Sequence, residues 1–247
     1  MSPHTECTSP KSSHEDLELH PKCTESLKLW NALKHGKALV FDCDGTLLDT
    51  MPIYYLSWKR TCDEVGLCFP VERFYEMAGM PVVDIFRILI HEKEKNQDTK
   101  FQHSAEELDE RKKRHHADIE KEGHLAEPIN VVVNIAKYFH KKIPMAVASS
   151  SWRDHVLEGL KRANILHLFD AVVTADEDEV QNGKPAPDIF LVAAQRLGVD
   201  PKYAIGFEDA NLGIQSVNAA GYLLAIDVRK MILYPRNVED REKDLNK

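Results

Sequence analysis

The sequence predicts an α/β fold: a Rossmann-like parallel sheet core with an inserted α-helical cap domain. Three observations predict it. After Pro128, short apolar runs alternate with helical patterns, the mark of βαβ units and a parallel sheet. Between the first apolar run, Ala38-Leu39-Val40, and that alternation, residues 52–123 show helical periodicity and no convincing strand. Each core strand run ends in residues that carry chemistry, and ligands in open parallel sheets bind outside the carboxyl ends of strands.

The elements follow in order. Residues 1–22 are rich in Ser, Pro, His and acids and are expected to form a disordered tail. Leu27, Trp30 and Leu33 stand at helical spacing, so a short helix leads into the first strand. The core is expected to comprise 23–51 and 124–230, with the cap at 52–123. Pro52 suits the first turn of a cap helix, and Pro81 precedes Val82, Ile85, Phe86 and Leu89 at helical spacing. Ser104-Ala105-Glu106-Glu107 is a capping box that opens a charged helix closed by Gly123. Its run Arg111-Lys112-Lys113-Arg114-His115-His116 reads as a solvated helix face rather than a localisation patch, and the paired histidines as surface residues.

In the second half, helices are expected at 129–139, 152–163, 187–197 and 210–220, and strands at 144–149, 171–174, 203–207 and 222–226. Residues 231–247 read as a charged surface tail.

The strand ends carry the candidate site. The first run leads into Phe41-Asp42-Cys43-Asp44-Gly45-Thr46. If the strand stops at Asp42 and Gly45 starts a turn, both carboxylates gather around one point. Two acids one residue apart suit a nucleophile with a general acid/base, and equally a hard cation that takes oxygen ligands. A plain DxDG surface turn is the competing reading. Cys43 reads as a small buried filler.

The second run ends at Ser149-Ser150-Ser151. A helix start there offers free N–H groups to an anion, and the Ser149 hydroxyl adds a donor. Ser151, with Asp154 three residues on, reads as the helix cap. The third is followed by Gly183-Lys184-Pro185-Ala186-Pro187-Asp188, where Lys184 can neutralise both a phosphate and a carboxylate. Asp188 reads as structural. The fourth ends at Glu208-Asp209, a second carboxylate pair whose repulsion with the first a cation such as Mg2+ would relieve.

With these motifs the chain resembles the haloacid dehalogenase superfamily, in its β-phosphoglucomutase-like branch. The stretch 169–229 is similar to bacterial fructose-1-phosphate/6-phosphogluconate phosphatases. The resemblance implies a nucleophile at Asp42 that forms an aspartyl-phosphate. It implies a general acid/base at Asp44, whose carbonyl oxygen also serves Mg2+. Ser149, Ser150 and Lys184 carry over as phosphate contacts, and Asp42, Asp44, Glu208 and Asp209 as the Mg2+ site. The expected activity is Mg2+-dependent hydrolysis of a small phosphate monoester, a sugar phosphate. The alternatives are a sugar phosphomutase and a non-catalytic binding protein that keeps the fold. Mutases of this branch carry a His and an Arg where this chain has Tyr54 and Val82. On that ground the cap is expected to lack both a second phosphate clamp and a restraint on Asp44.

Composition narrows the setting. The 247 residues carry a net charge of −8, which argues against a nucleic-acid partner. No apolar run reaches transmembrane length, and the acidic N-terminus fits neither a secretory signal nor a transit peptide. Five scattered cysteines without a CxxC pair suit a reducing compartment. A cytoplasmic monomer acting on a small-molecule phosphate ester, with no nucleic-acid or membrane partner, is the expectation.

Overall fold

The structure, a computed structural model, describes residues 24–97 and 100–235. The expected N-terminal tail and residues 236–247 lie outside the described residues.

A five-stranded sheet has the order β3-β2-β1-β4-β5, all neighbours parallel. The strands are β1 (Ala38–Phe41), β2 (Met145–Ser149), β3 (Ala171–Thr174), β4 (Ala204–Glu208) and β5 (Leu224–Asp227). β1 and β2 are buried along their whole length, which explains their unbroken apolar sequence where a one-sided strand would alternate. Chain order runs outward from β1 to β3, then crosses back to β4 on the other side of β1. The direction of winding therefore reverses between β1 and β4, and this is where a doubly wound sheet opens a ligand crevice.

Alternate strand residues face different layers. Leu39, Phe41, Met145 and Val147 pack with α1 (Thr24–Ala32), α6 (Asn130–Phe139) and α7 (Arg153–Arg162). Ala38, Val40, Ala146 and Ala148 pack with α8 (Asp188–Arg196) and α9 (Asn211–Ala219). Phe41 stacks on Phe207 across β1 and β4, with ring centroids 4.4 Å apart, and so fixes the spacing of the two strands beneath the crevice.

Four helices follow β1: α2 (Met51–Val65), α3 (Val71–Glu76), α4 (Val82–Gln97) and α5 (Ala105–Lys121). They enclose an apolar cluster of their own, with Trp58 against Phe69 and Phe86. Ser104 caps α5 by accepting the Glu107 N–H at 3.1 Å, while the Glu107 carboxylate goes to Arg111 and His103 instead of completing the reciprocal box. The two strands of chain that join this helical block to the sheet lie side by side, since Asp49 N donates to the Glu127 carbonyl at 2.8 Å.

Two expectations need correction here. The charged tail does not begin at 231: Met231 is fully buried in the core, and Tyr234 donates to the Gly45 carbonyl at 2.6 Å. Helix α7 starts at Arg153 with Trp152 as its N-cap residue and no side-chain cap, so Ser151 is free of the capping role.

Candidate active site

At the reversal between β1 and β4, Asp42 follows the last residue of β1, and Glu208 ends β4. Lys184, from the loop after β3, reaches between them. Its ammonium donates to Asp42 Oδ1 at 2.7 Å, to Glu208 Oε1 at 2.5 Å and to the Ala148 carbonyl at 3.4 Å. The side chains of Lys184, Asp42 and Glu208 are 5%, 7% and 1% exposed, so these are desolvated charges. Asp209 completes the group: carboxylate oxygens of Asp42, Glu208 and Asp209 all lie within 4.8 Å of one another.

Two glycines make this packing possible. A Cβ on Gly213, in the first turn of α9, would lie 1.8 Å from Glu208 Oε1. Gly45 has φ +79°, and a Cβ there would lie 2.3 Å from Asp209 Oδ2. Only glycine combines the left-handed backbone with that close approach.

The electrostatics show too much negative charge for one lysine. Burial pushes the Asp42 carboxyl up to about 7 against the pull of Lys184, with Glu208 and Asp44 adding to the rise. Burial, then Glu208 and Asp42, push Asp209 well above the usual carboxylate range. The two anions beside it outweigh burial for Lys184 and hold it a firm cation. A divalent cation with oxygen ligands relieves this excess, so the donor set fits Mg2+.

Asp44 stands apart. Its carboxylate is not in the cluster; Oδ1 accepts from the Tyr54 hydroxyl at 2.9 Å, and Oδ2 from Ser151 Oγ at 2.7 Å and Ser149 Oγ at 3.3 Å. Of the expected metal residues, Asp44 could therefore contribute its carbonyl but not, in this arrangement, its side chain. Ser151, expected as a cap, is a ligand of Asp44 instead. Ser149 is buried and also accepts the Ser151 N–H at 3.1 Å, while Ser150 is exposed and lines the cavity described below. Cys43 is a buried filler whose thiol burial pushes well above its usual range. Asp188 accepts from the Asn182 backbone and side chain, a structural role.

Tyr54 corrects the expectation that the cap offers Asp44 no restraint. It comes from α2 and also meets His155 of α7, Oη to Nε2 at 3.2 Å. Burial and the Asp44 charge push its phenol well above the usual range, so it remains a donor.

A cavity of about 580 Å³ lies between the helical block and the strand ends. Asp42, Asp44, Lys184 and Asp209 form its floor, Phe74, Met77, Met80 and Trp58 line the helical side, and exposed Trp152 lies at its edge. The basic run expected as a solvated face sends two members inward. Lys112 faces the cavity, its ammonium 5.4 Å from the ring centres of both Tyr54 and Trp58, and burial pushes it down to about 8. His116 lines the same cavity, with both ring nitrogens buried and without a hydrogen-bond partner among the described residues. Burial, then the Lys112 and His155 charges, push it down to about 4. The signal was present in the sequence: Ala105, Leu108, Lys112, His116 and Ile119 form one helical stripe, and its apolar members are buried.

Residues 39–226 match the family described as haloacid dehalogenase-like hydrolase. The chain is 38% identical over 192 residues to fructose-1-phosphate phosphatase YqaB of Escherichia coli (strain K12), covering 77% of this chain and 95% of that protein. It is 31% identical over 187 residues to a phosphorylated carbohydrates phosphatase of Thermotoga maritima, covering 75% and 82%. Among solved structures, a putative beta-phosphoglucomutase from Thermotoga maritima superposes with a TM-score of 0.56 at 28% identity, covering 76% of this chain and 83% of that one.

Proposed function

The chain belongs to the haloacid dehalogenase-like hydrolases, in the β-phosphoglucomutase-like branch, and is a phosphoric monoester hydrolase; on that premise we propose that it is a Mg2+-dependent phosphatase of a sugar phosphate that works through an aspartyl-phosphate on Asp42. The observation that carries the reading is the buried Asp42–Lys184–Glu208 group with Asp209 beside it, at the floor of a substrate-sized cavity. The likeness to two carbohydrate-phosphate phosphatases supports the substrate class. Cys43 and Cys62 are buried free thiols, which is compatible with a reducing, cytoplasmic compartment, and no described helix is long and apolar enough to cross a membrane. The working unit is taken to be a monomer.

In this mechanism Asp42 attacks phosphorus, an Asp42 oxygen–phosphorus bond forms, and the bond from phosphorus to the ester oxygen breaks. Asp44 gives its proton to the leaving oxygen, then takes one from the water that attacks phosphorus and releases Asp42. Lys184 holds the nucleophile and offsets phosphate charge, with Ser149 and Ser150 at the phosphate edge. Mg2+, held by Asp42, Glu208 and Asp209 and by the Asp44 carbonyl, would supply charge neutralisation when bound. Lys112 and His116 face the leaving group from the cap.

A mutase is the second reading, and two observations favour it. Tyr54 restrains Asp44, as a mutase requires in order to slow water, and Lys112 puts a cation where a second phosphate could rest. Incubation with β-glucose 1-phosphate, with and without glucose 1,6-bisphosphate, separates the two. A phosphatase releases inorganic phosphate steadily without the bisphosphate. Rapid formation of glucose 6-phosphate with little free phosphate would overturn the hydrolytic reading.

A further inference from the structure

Three rings meet where the helical block touches the sheet layer, and the scheme above gives the contacts of His155 no role. Tyr54 of α2, His116 of α5 and His155 of α7 lie 5.2 Å (Tyr54 to His116), 5.5 Å (His116 to His155) and 6.3 Å (Tyr54 to His155) apart, centre to centre. Two hydrogen bonds run through this group. Tyr54 Oη donates to Asp44 Oδ1 at 2.9 Å, and His155 Nε2 lies 3.2 Å from the same phenol oxygen.

Counting protons gives the direction of the chain. A phenol has one proton, and toward a carboxylate that proton goes to the carboxylate. The phenol oxygen then presents only lone pairs to His155. His155 Nε2 must therefore carry hydrogen and donate. The sequence of donors is His155 to Tyr54 to Asp44. The other oxygen of Asp44 is held by Ser149 and Ser151, so three hydroxyl groups, with that of Tyr54, fix the rotation of this carboxylate.

The origins of these groups matter. Ser149, Ser151 and His155 belong to the sheet layer, whereas Tyr54 belongs to the helical block above the cavity. The Tyr54 phenol can reach His155 and Asp44 only while that block sits where it does. His155 thus gives the phenol a second anchor on the sheet side and rewards one placement of the block.

We infer that His155 is a positioning residue for Asp44, acting through the Tyr54 hydroxyl. The inference rests on the proposed acid/base role of Asp44. It assigns His155 no proton transfer; Asp44 alone gives and takes the proton. A proton donor of the right length at 155 is what the role requires, not an imidazole as such.

The test uses the full chain with Mg2+ and two esters. p-Nitrophenyl phosphate has a leaving group that needs little help from an acid; glucose 6-phosphate has an alkoxide that needs much. His155→Leu should lower kcat for glucose 6-phosphate at least about tenfold more than for the aryl ester, part of the roughly 10²–10⁴ that a placed acid contributes. KM should change little. His155→Gln, which keeps an N–H donor, should recover kcat on the alkyl ester to within about threefold of the parent, by the same donor argument. Tyr54→Phe and the Tyr54→Phe/His155→Leu double variant should be equally impaired, because contacts in series are not additive. Nitrogen-15 NMR of the parent should show hydrogen on Nε2 of His155. Thermal melts of each variant check that the fold is kept.

Equal losses on both esters, an additive double variant, or a Gln variant as poor as Leu would overturn the inference. The underlying reading fails differently. If Asp44→Asn shows no greater loss on the alkyl ester, the acid role itself is wrong and the inference falls with it. A leaving-group effect in Asp44→Asn without one in His155→Leu removes only the role of His155.

Discussion

Replacing Lys184 with methionine tests the electrostatic account of the site. Lys184 lies 2.7 Å from Asp42 and 2.5 Å from Glu208, and Asp42, Glu208 and Asp209 lie within 4.8 Å of each other. At an effective dielectric of about 20, an ionised carboxylate pair within 4.8 Å repels by at least about 3.5 kcal/mol, and the 2.7 Å ammonium contact attracts by about 6 kcal/mol. Desolvation of the ions consumes much of that attraction, and removing one partner of such a buried pair costs about 3–5 kcal/mol. In a chain of this size each kcal/mol moves Tm by about 2–4 °C, so Lys184→Met in EDTA should melt roughly 6–20 °C below the parent. The same change removes a positive charge from the cation site. Mg2+ should then raise the Tm of Lys184→Met more than that of the parent, while turnover is lost. Differential scanning calorimetry with EDTA and with millimolar Mg2+ reads both effects. A Tm within about 2 °C of the parent in EDTA, or a Mg2+ shift no larger than the parent's, would refute the reasoning.

Two further outcomes follow from single contacts. Gly213→Ala would set a methyl group 1.8 Å from Glu208 Oε1 and must displace that carboxylate, although alanine is the better helix former by about 1 kcal/mol; Mg2+ affinity, read by titration calorimetry, should fall at least about tenfold with the fold intact, and unchanged affinity would remove Glu208 from the metal site. His116→Phe addresses the ring that burial pushes down from 6.5 to about 4. The folded state refuses a proton that the unfolded chain accepts, so the stability from this group is present above pH 6.5 and is lost as pH falls through 4. Phenylalanine takes no proton, so the Tm of the variant should fall less than the parent's between pH 7 and pH 4; parallel curves would count against a buried neutral His116.

Much of the fold was legible because its signals are local. The unbroken apolar runs of β1 and β2 read as strands buried on both faces, and both are fully buried in the sheet. Asp42 and Glu208 could be placed because a strand end is marked by the change from apolar to acidic residues. Some misread residues had their roles set by a partner distant in sequence, and others carried a local signal that the charged run around them masked. Ser151 looked like a helix cap because caps are Ser followed by an acid, yet its hydroxyl serves Asp44, 107 positions away. Lys112 and His116 were hidden inside a charged run, although their helical spacing with Leu108 and Ile119 puts them on the buried stripe. Tyr234 closes the apolar run Met231-Ile232-Leu233-Tyr234, which was assigned to the charged tail with the acidic and basic residues after it, and its hydrogen bond to Gly45 depends on the chain returning to β1.

The sequence by itself determined the alternating core, the helical block after β1, and a set of acids, Ser149 and Lys184 at the strand ends. Hydrophobic periodicity and strand termination act over a few residues, so one chain is enough to read them. Only the tertiary structure decided that Lys184 lies between Asp42 and Glu208, that the Asp44 carboxylate is drawn away from the other three acids, and that Tyr54 and His155 hold it there. Those facts depend on distances between side chains from different layers, set by strand order and by the seating of the helices, and no local pattern encodes them.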